Sequence, residues 1–215
     1  MTESNAVITI EQLAGWLRRF RNRVIENQTQ LTELDSAIGD ADHGINMARG
    51  MTAVIDKLDG HAPSHANELF KIVAMALVTS VGGASGPLYG TFFLRFGGAT
   101  GPATELDIEA LAMALDAGLT GIMERGKAVP GDKTMVDALS PAVDAMEAVI
   151  KSGGDLAAAV TSARDAAAAG RDATVPLVAR KGRASYLGER SAGHVDPGAA
   201  SMSLLFDALA EELAG

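Results

Sequence analysis

Apolar residues recur every three or four positions along most of this 215-residue chain, which is the spacing of amphipathic α-helices. The first apolar face consists of Leu13, Trp16, Leu17, Phe20 and Val24. Thr9 and Gln12 stand before it with the spacing of a capping box, so we expect a helix to begin there. This helix is expected to continue, with room for a break, to about Ile38.

The same spacing predicts further helices, separated by turns that are rich in Gly, Pro and Asp. Their approximate ranges are 44–58, 65–81, 88–96, 104–125, 135–150, 155–169 and 196–213. Thr104 with Asp107 is expected to cap the fifth helix, and Asp196 to start the last one. No alternation of apolar and polar residues is long enough to predict a strand. The pattern therefore predicts an all-α fold.

Composition narrows the class of protein. Hydrophobic residues make up 47% of the chain and aromatic residues only 4%, which favours closely packed helices over a β-sandwich. The lack of cysteine is compatible with a cytoplasmic protein. The start, MTESNAVITIEQ, shows no export signal, and the longest apolar run, roughly 69–81, is too short to span a bilayer. A net charge of −9 argues against a nucleic-acid-binding surface. We expect no membrane and no nucleic-acid partner.

The stretch LTELDSAIGDADHGINMARGM concentrates the candidate chemistry. It contains Asp35, Asp40 and Asp42, with a glycine on each side of the last two. If the chain breaks at Gly39 and continues as an extended Asp40-Ala41-Asp42, both aspartates project to one side and can meet Asp35. Three carboxylates at one point repel each other and need a cation.

Carboxylate ligands without cysteine or paired histidines suit Mg²⁺ or Ca²⁺ better than zinc. A calcium-binding EF-hand that starts at Asp40 would need Glu where the chain has Met51, so that interpretation fails. Mg²⁺ typically combines few carboxylates with substrate phosphates, and the helix start at 44–47 offers backbone N–H groups to an anion. From the residues alone, a second interpretation stays open, in which the aspartates are caps and turn formers and His43 is a surface residue.

Three further segments have the composition of ligand-binding loops. GGASGP, before the fourth helix, would allow a ligand to approach the backbone, and PGDKT, before the sixth, could form the wall of a pocket. RKGRASYLGERSAGHVDPG at 180–198 is basic, so phosphate donors are expected there, including the hydroxyls of Ser185 and Ser191. Each segment is also compatible with an ordinary turn, cap or solvated loop. GIMERGK at 121–127 matches part of a P-loop, but it lacks the following Ser or Thr and the preceding strand, so it is rejected.

Four motifs together resemble the L subunits of bacterial dihydroxyacetone kinase. They are GDADHG at 39–44, SVGGASGPLYGTFF at 80–93, RGKAVPGDKTM at 125–135 and RKGRASYLGERSAGHVDPGA at 180–199. They occur in the family's order and span nearly the whole chain. The resemblance implies a single domain over residues 1–215, built as an all-α barrel of about eight antiparallel helices with a nucleotide site at one end.

The resemblance also implies the site residues. Asp35, Asp40 and Asp42 would hold two Mg²⁺ ions that bridge the phosphates of ADP or ATP, and Arg183 would add a donor for the transferred group. The implied nucleotide contacts are His43, Gly44, Ile45, Asn46, Ala84, Ser85, Gly126, Met135, Arg183, Asp196, Pro197 and Gly198.

The implied activity is phosphoryl transfer to dihydroxyacetone that a separate K subunit holds covalently on a histidine. In the form fed by the phosphoenolpyruvate phosphotransferase system, ADP stays bound and is rephosphorylated by a phosphohistidine on a third, M subunit. In the other form, ATP exchanges freely. Two rivals stay open: a kinase subunit for another short ketose such as erythrulose, and a regulatory module whose nucleotide state controls contact with a transcription regulator. No pattern fixes the oligomeric state, and a homodimer is one alternative.

Overall fold

Helices account for nearly all regular structure in the computed structural model, which describes residues 7–214. The α-helices are α1 (Ile10–Glu26), α2 (Gln28–Ile38), α3 (His43–Asp59), α4 (Ala66–Ser80), α5 (Ser85–Thr100), α6 (Ile108–Gly126), α7 (Val136–Lys151), α8 (Leu156–Ala173) and α9 (Pro197–Leu213). A 3-10 helix spans Arg183–Ser191, and two short strands, β1 (Ile8–Thr9) and β2 (Glu105–Leu106), pair antiparallel. The prediction of an all-α fold is confirmed.

Local capping explains where the first helices begin and end. The capping box is present, because Gln12 N donates to Thr9 Oγ1 at 3.2 Å and Thr9 N donates to Gln12 Oε1 at 3.0 Å. The expected break falls at Asn27, whose backbone N–H and side-chain amide both donate to the Arg23 carbonyl. The predicted cap of the fifth helix needs correction. Asp107 alone caps α6, and Thr104 lies outside the helix, before β2.

Eight of the helices in the described part of the chain close into a ring. In order, α1 packs on α3, then each helix packs on the next through α9, and α9 packs back on α1. The centre is filled by aromatic side chains without exposed surface, among them Trp16, Phe70 and Phe93, and Trp16 Nε1 donates to the Leu205 carbonyl at 2.9 Å. Helix α2 is outside this ring, against α3, α9 and the 3-10 helix.

Every second connection meets at the same end of the barrel. Gly86 of α5 lies against Leu77 of α4 and Gly97 lies against Phe70, so these neighbouring helices run in opposite directions. The connections α2–α3, α4–α5, α6–α7 and α8–α9 therefore gather at one end, and together they line a cavity. None of the helices in residues 7–214 is both long and apolar enough to cross a membrane. The N-terminal stretch that shows no export signal begins with residues 1–6, and these lie outside the described residues.

Candidate functional site

The three aspartates of the acidic stretch meet in the turn between α2 and α3. One carboxylate oxygen from each of Asp35, Asp40 and Asp42 lies within 4.8 Å of the others. The expectation of an extended 40–42 segment is wrong, because Ala41 adopts a left-handed conformation with φ of 62°. A tight turn, and not strand-like alternation, thus brings the side chains together. Gly39 makes the turn compatible with Asp35, because a Cβ at residue 39 would overlap the Asp35 carboxylate.

Asp35 caps the start of α3 from the preceding helix. Its Oδ2 accepts from the backbone N–H groups of Asp42 at 2.8 Å and His43 at 3.1 Å. Asp42 occupies the N-cap position but makes no side-chain cap bond, so its carboxylate is free for another partner. The capping interpretation therefore applies to Asp35 alone. The N–H groups of Asp42 and His43 are therefore already satisfied. Within the predicted anion-binding start at 44–47, Asn46 N donates to the Asp42 carbonyl at 2.8 Å.

The donor set fits a hard divalent cation. It consists of carboxylate oxygens only, and the nearest imidazole, that of His43, has both ring nitrogens within hydrogen-bond distance of serine hydroxyls. Mg²⁺ accepts such oxygen ligands and completes its shell with water and phosphate. The Arg183 Nε lies 3.1 Å from Asp40 Oδ2 and supplies positive charge to the same cluster.

A cavity of about 370 Å³ opens beside the triad, which is within the size range of small-ligand sites. Most of the predicted site residues line it, namely Asp35, Asp40, Asp42, His43, Ala84, Ser85, Gly126, Met135, Arg183, Asp196, Pro197 and Gly198. Apolar side chains such as Leu88 and Ile122 line it as well. The four motifs that are distant in the sequence thus converge on one space, and their binding roles remain predictions.

Three predicted contact residues do not line the cavity. Gly44 lies against α2, where a Cβ would overlap the Gln28 carbonyl and crowd Thr32. Ile45 points outward and is 49% exposed. Asn46 is buried beside Gly82 and accepts a hydrogen bond from Arg49 at 2.7 Å. Asn46 can therefore shape the glycine loop from behind, while the packing role of Gly44 follows from the close crossing of two helices.

A buried row of polar groups begins at the floor of the cavity, which His43 and Ser85 help to line, and continues toward the core. His43 Nδ1 lies 3.1 Å from Ser85 Oγ, and His43 Nε2 lies 2.9 Å from Ser201 Oγ. Tyr89 OH is 2.8 Å from the same Ser201 oxygen. Burial lowers the pKa of His43, and burial raises the pKa of Tyr89, so the neutral forms are favoured. Tyr89 and Ser201 were not found by sequence reasoning, since on an apolar helical face they look like core positions.

Lys133, at the wall of the cavity, connects its own loop to the chain segments at Thr174 and His194 through hydrogen bonds. Its side chain is only 1% exposed, and its Nζ donates to the carbonyls of Thr174 at 2.7 Å and His194 at 2.5 Å. Burial lowers the pKa of this amine, whereas the carboxylate of Asp196 opposes the shift. Lys133 also was missed, because PGDKT was considered only as a turn or pocket wall. The only local signal was a lysine within a Gly-Asp turn.

Asp196 starts α9 from a buried position at the cavity wall. Its Oδ2 accepts from Ala199 N at 2.7 Å, and its own N–H donates to Thr174 Oγ1 at 3.0 Å. Burial raises the pKa of Asp196 to about 7, and the charge of Asp137 adds to this effect. A buried carboxyl group that titrates near neutral pH therefore faces the cavity.

The segment 180–198 is more ordered than the predicted loop, because it contains the 3-10 helix. Ala184 and Leu187 of this helix pack on Ile38 at the end of α2, in a small apolar cluster separate from the main core. The expectation that Ser185 and Ser191 offer hydroxyls to a phosphate is not supported. Ser185 Oγ donates to the Gly182 carbonyl and Ser191 Oγ to the Gly188 carbonyl, both at 2.6 Å. Arg183 is the residue that reaches the acidic triad.

Fold and site together define a class of protein, an all-helical barrel with a cluster of three carboxylates beside a cavity of small-ligand size. Residues 37–211 match the family model described as the DAK2 domain, and this chain belongs to that family. The resemblance stated from the motifs is thereby confirmed. The rejected P-loop match lies mostly within α6, which agrees with its rejection.

Two relatives and one solved structure show how far the similarity extends. The ADP-binding subunit DhaL of PEP-dependent dihydroxyacetone kinase 1 from Listeria innocua is 46% identical over 194 residues, which cover 90% of this chain and 92% of the relative. The corresponding Escherichia coli subunit is 43% identical, covering 93% of this chain and 95% of the relative. The dihydroxyacetone kinase of C. freundii in complex with AMP-PNP and Mg²⁺ has a TM-score of 0.71 and 28% identity, covering 98% of this chain and 37% of that one.

Proposed function

We propose that this chain is the nucleotide-binding subunit of a dihydroxyacetone kinase and that it holds ADP or ATP with two Mg²⁺ ions at the open end of its barrel. The observation that carries the proposal is the triad Asp35, Asp40 and Asp42, whose oxygens lie within 4.8 Å of one another at the edge of a cavity. Membership of the DAK2 family and the likeness to ADP-binding subunits support it.

The residues of this chain would act by binding and orientation. Asp35 is fixed by its bonds to the start of α3, so one of its oxygens is committed to the fold and the other is left for a cation. Asp40 and Asp42 present their carboxylates from the turn. When bound, Mg²⁺ neutralises phosphate charge and orients the transferred group. Arg183 can add a donor to that group and Ser85 a hydroxyl, since both line the same cavity.

We further propose that the acceptor, dihydroxyacetone, is held by a separate K subunit and that the site is fed by the phosphoenolpyruvate phosphotransferase system through an M subunit. Relatives named as PEP-dependent ADP-binding subunits support this form over the one that exchanges ATP. The expected cellular site is the cytoplasm, where the phosphotransferase system delivers its phosphoryl groups. A homodimer stays an open alternative.

Nucleotide retention tests the binding part of the proposal. The purified protein with MgCl₂ is passed through gel filtration, and the nucleotide in the protein peak is identified by mass spectrometry. We expect ADP that remains bound with Mg²⁺ and is released by EDTA. Calorimetric titration of the stripped protein with ADP should show binding only when Mg²⁺ is present. Equal binding in EDTA would contradict the role assigned to the triad.

Reconstitution tests the transfer part. The protein is combined with a K subunit and dihydroxyacetone, and phosphorylated product is measured with either ATP or phosphoenolpyruvate plus the phosphotransferase proteins and an M subunit. We expect product with phosphoenolpyruvate and little with ATP alone. Replacing dihydroxyacetone by L-erythrulose distinguishes the rival substrate. Tight ADP binding without transfer to either ketose would favour the regulatory alternative.

A further inference from the structure

Residues 175–193 form a loop that is closed at its base and carries Arg183 to the acidic triad; we call it the Arg183 loop. At the base, Gly193 N donates to the Val175 carbonyl at 2.8 Å. Farther along the loop, Arg183 Nε lies 3.1 Å from Asp40 Oδ2. The two side chains of this ion pair are 66% and 35% exposed, so the pair contributes little to folding and does not hold the loop by itself.

Lys133 joins the two ends of the Arg183 loop from outside it. It belongs to the turn between α6 and α7, and its Nζ donates to the Thr174 carbonyl at 2.7 Å and to the His194 carbonyl at 2.5 Å. These two carbonyls directly precede and directly follow the loop. The Val175 carbonyl is a third, more distant neighbour at 3.4 Å. One ammonium group therefore bonds to both ends of the loop.

The Arg183 loop has two further attachments beyond its base. Arg180 N donates to the Asp132 carbonyl at 3.0 Å, so the loop also runs along the turn between α6 and α7. On the other side, Ala184 packs on Ile38 in the small apolar cluster at the end of α2. This cluster buries little apolar area, so it stabilises the loop only modestly. The position of the arginine that precedes Ala184 thus depends on the base as well.

The conformation and burial of Lys133 are both unfavourable, which indicates a specific role. Its backbone is left-handed, with φ of 62°, a conformation that is costly for a residue with a side chain. Its side chain is only 1% exposed, and burial lowers the pKa of the amine because the charged form loses its hydration. An apolar residue could fill the same space without this loss. The ammonium group is therefore required by its bonds to the main-chain carbonyls.

We infer that Lys133 is a positioning residue that closes the base of the Arg183 loop and thereby holds the guanidinium of Arg183 at the acidic triad, where it can donate to the bound nucleotide. The ammonium group of Lys133 is used by the carbonyls, so this lysine acts through the arginine. The inference deepens the proposed function and rests on it for the identity of the ligand. The closing of the loop is a property of the ligand-free protein, so it can be measured without nucleotide.

The first experiment measures the closing of the loop. Lys133→Met keeps the length of the side chain and removes the ammonium group, and amide hydrogen exchange is followed by NMR in EDTA without ligand. We expect the amides of Arg180 and Gly193 to exchange at least about tenfold faster in the variant, because local opening becomes easier. The amide of Ala159, which donates to the Asp155 carbonyl at the other end of the barrel, should not change. Equal exchange of Arg180 and Gly193 in the two proteins would overturn the inference.

The second experiment is a double-mutant cycle on nucleotide binding. Calorimetry with Mg²⁺ gives the ADP affinity of Lys133→Met, of Arg183→Gln and of the protein with both substitutions. We expect each single substitution to weaken binding by about fivefold. The double variant should also be weaker by only about fivefold, because an arginine that is already displaced has no contact left to lose. Losses that multiply to roughly 25-fold would show that the two residues act independently, and the inference would then be wrong.

Lys151→Met is the matched control, and Lys133→Gln is a milder second variant. Lys151 is in α7 at the other end of the barrel, is 74% exposed and pairs with Glu147. Its substitution should change neither the amide exchange nor the ADP affinity. Lys133→Gln keeps one donor, so it should give the same pattern with smaller effects. Circular dichroism establishes that the variants are folded, and unfolding of both Lys133 variants would overturn the inference by assigning the residue to the fold as a whole.

The outcomes distinguish the inference from the proposed function. If the unmodified protein fails to bind ADP while the amides of Arg180 and Gly193 respond as expected, the proposed function is contradicted and the closing of the loop by Lys133 is supported. If the protein binds ADP with Mg²⁺ but Arg183→Gln does not weaken binding, the inference is overturned and the proposed function is unaffected.

Discussion

The aromatic cluster around Trp16 and the polar floor around His43 are both removed from water, but they restrict substitution differently. Trp16 contacts Phe70, Phe93 and Phe96 with ring centroids 5.8 to 6.2 Å apart, and its contribution comes mainly from apolar area. Each ring nitrogen of His43 has one hydrogen-bond partner. A rotation of the imidazole ring would break both hydrogen bonds without changing the buried area. We therefore expect substitutions in the aromatic cluster to lower the free energy of unfolding. Substitutions at the polar floor should instead lower the affinity for the nucleotide.

Loss of Trp16 tests the first half of this comparison and should have the largest effect. Trp16→Ala removes a fully buried ring and its bond to the Leu205 carbonyl, so we expect a loss of about 4 kcal/mol in the free energy of unfolding. The melting temperature should fall by about 10 °C. Calorimetry at low temperature, where the variant is folded, should give unchanged ADP affinity. A large loss of affinity would mean that the two regions are coupled.

Neutralising the triad tests the other half. Asp40→Asn or Asp42→Asn should weaken Mg²⁺-dependent ADP binding by roughly 100-fold, since a charged ligand of the cation is lost. Stability should stay equal or rise, because repulsion among the carboxylates decreases. Asp107→Asn, at the cap of α6 on the opposite end of the barrel, is the control and should leave affinity unchanged. Titration calorimetry that finds normal affinity in the triad variants would count against the metal assignment.

Asp196 also lines the cavity, and its titration should make the stability of the protein depend on pH. Its pKa of about 7 in the folded protein exceeds the ordinary value, so the folded state binds the proton more tightly than the unfolded chain. Its stabilising contribution is complete below about pH 4 and is lost as the pH rises to 7. Asp196→Asn keeps an acceptor for Ala199 N without this titration. The stability advantage of the variant should grow by about 3 kcal/mol between pH 5 and 8.

Urea unfolding of both proteins at pH 5 and pH 8, in EDTA, measures this difference. The other titrating groups are common to the two proteins and cancel in the comparison. A constant difference at the two pH values would show that Asp196 is ionised in the folded protein at both.

Substitution of Arg183 should change the free energy of unfolding least. Its side chain is 66% exposed, so the pair with Asp40 contributes at most a few tenths of a kcal/mol to folding. Arg183→Gln should therefore unfold at nearly the same temperature, whereas ADP affinity should fall several-fold and depend less on salt. A strong loss of stability with normal affinity would instead assign Arg183 to the fold.

The fold could be predicted from the sequence because nearly every helix has apolar residues at helical spacing, and this single pattern identifies the helices. The faces that contain Trp16 and Leu205 lie on helices close to the predicted ranges, and even the break before α2 was foreseen. Thr104 was placed wrongly because the two-residue strand after it is stabilised by pairing with Ile8 and Thr9, which are distant in the sequence. Such short pairings leave no periodic signal.

The site was only partly accessible. The aspartates were recognised by type and spacing, but the left-handed Ala41 and the capping by Asp35 depend on how two helices meet. Tyr89 and Ser201 could not be found, because a hydroxyl on a helical core face acquires a role only when its partner comes from another helix. Gly44 was predicted as a ligand contact, and its packing against α2 was not foreseen, because it depends on how the two helices cross.

Helix α2 lies outside the main ring, so we expect it to unfold locally before the ring helices do. Helix α2 buries only Leu31, Asp35 and Ile38, and the 3-10 helix leans on its end. A cation held between Asp35 and Asp42 would add to the hydrogen bonds by which Asp35 already connects α2 to the start of α3. In hydrogen exchange, the amides of residues 28–42 and 183–191 should therefore exchange early in the free protein and become protected together when ADP and Mg²⁺ are added.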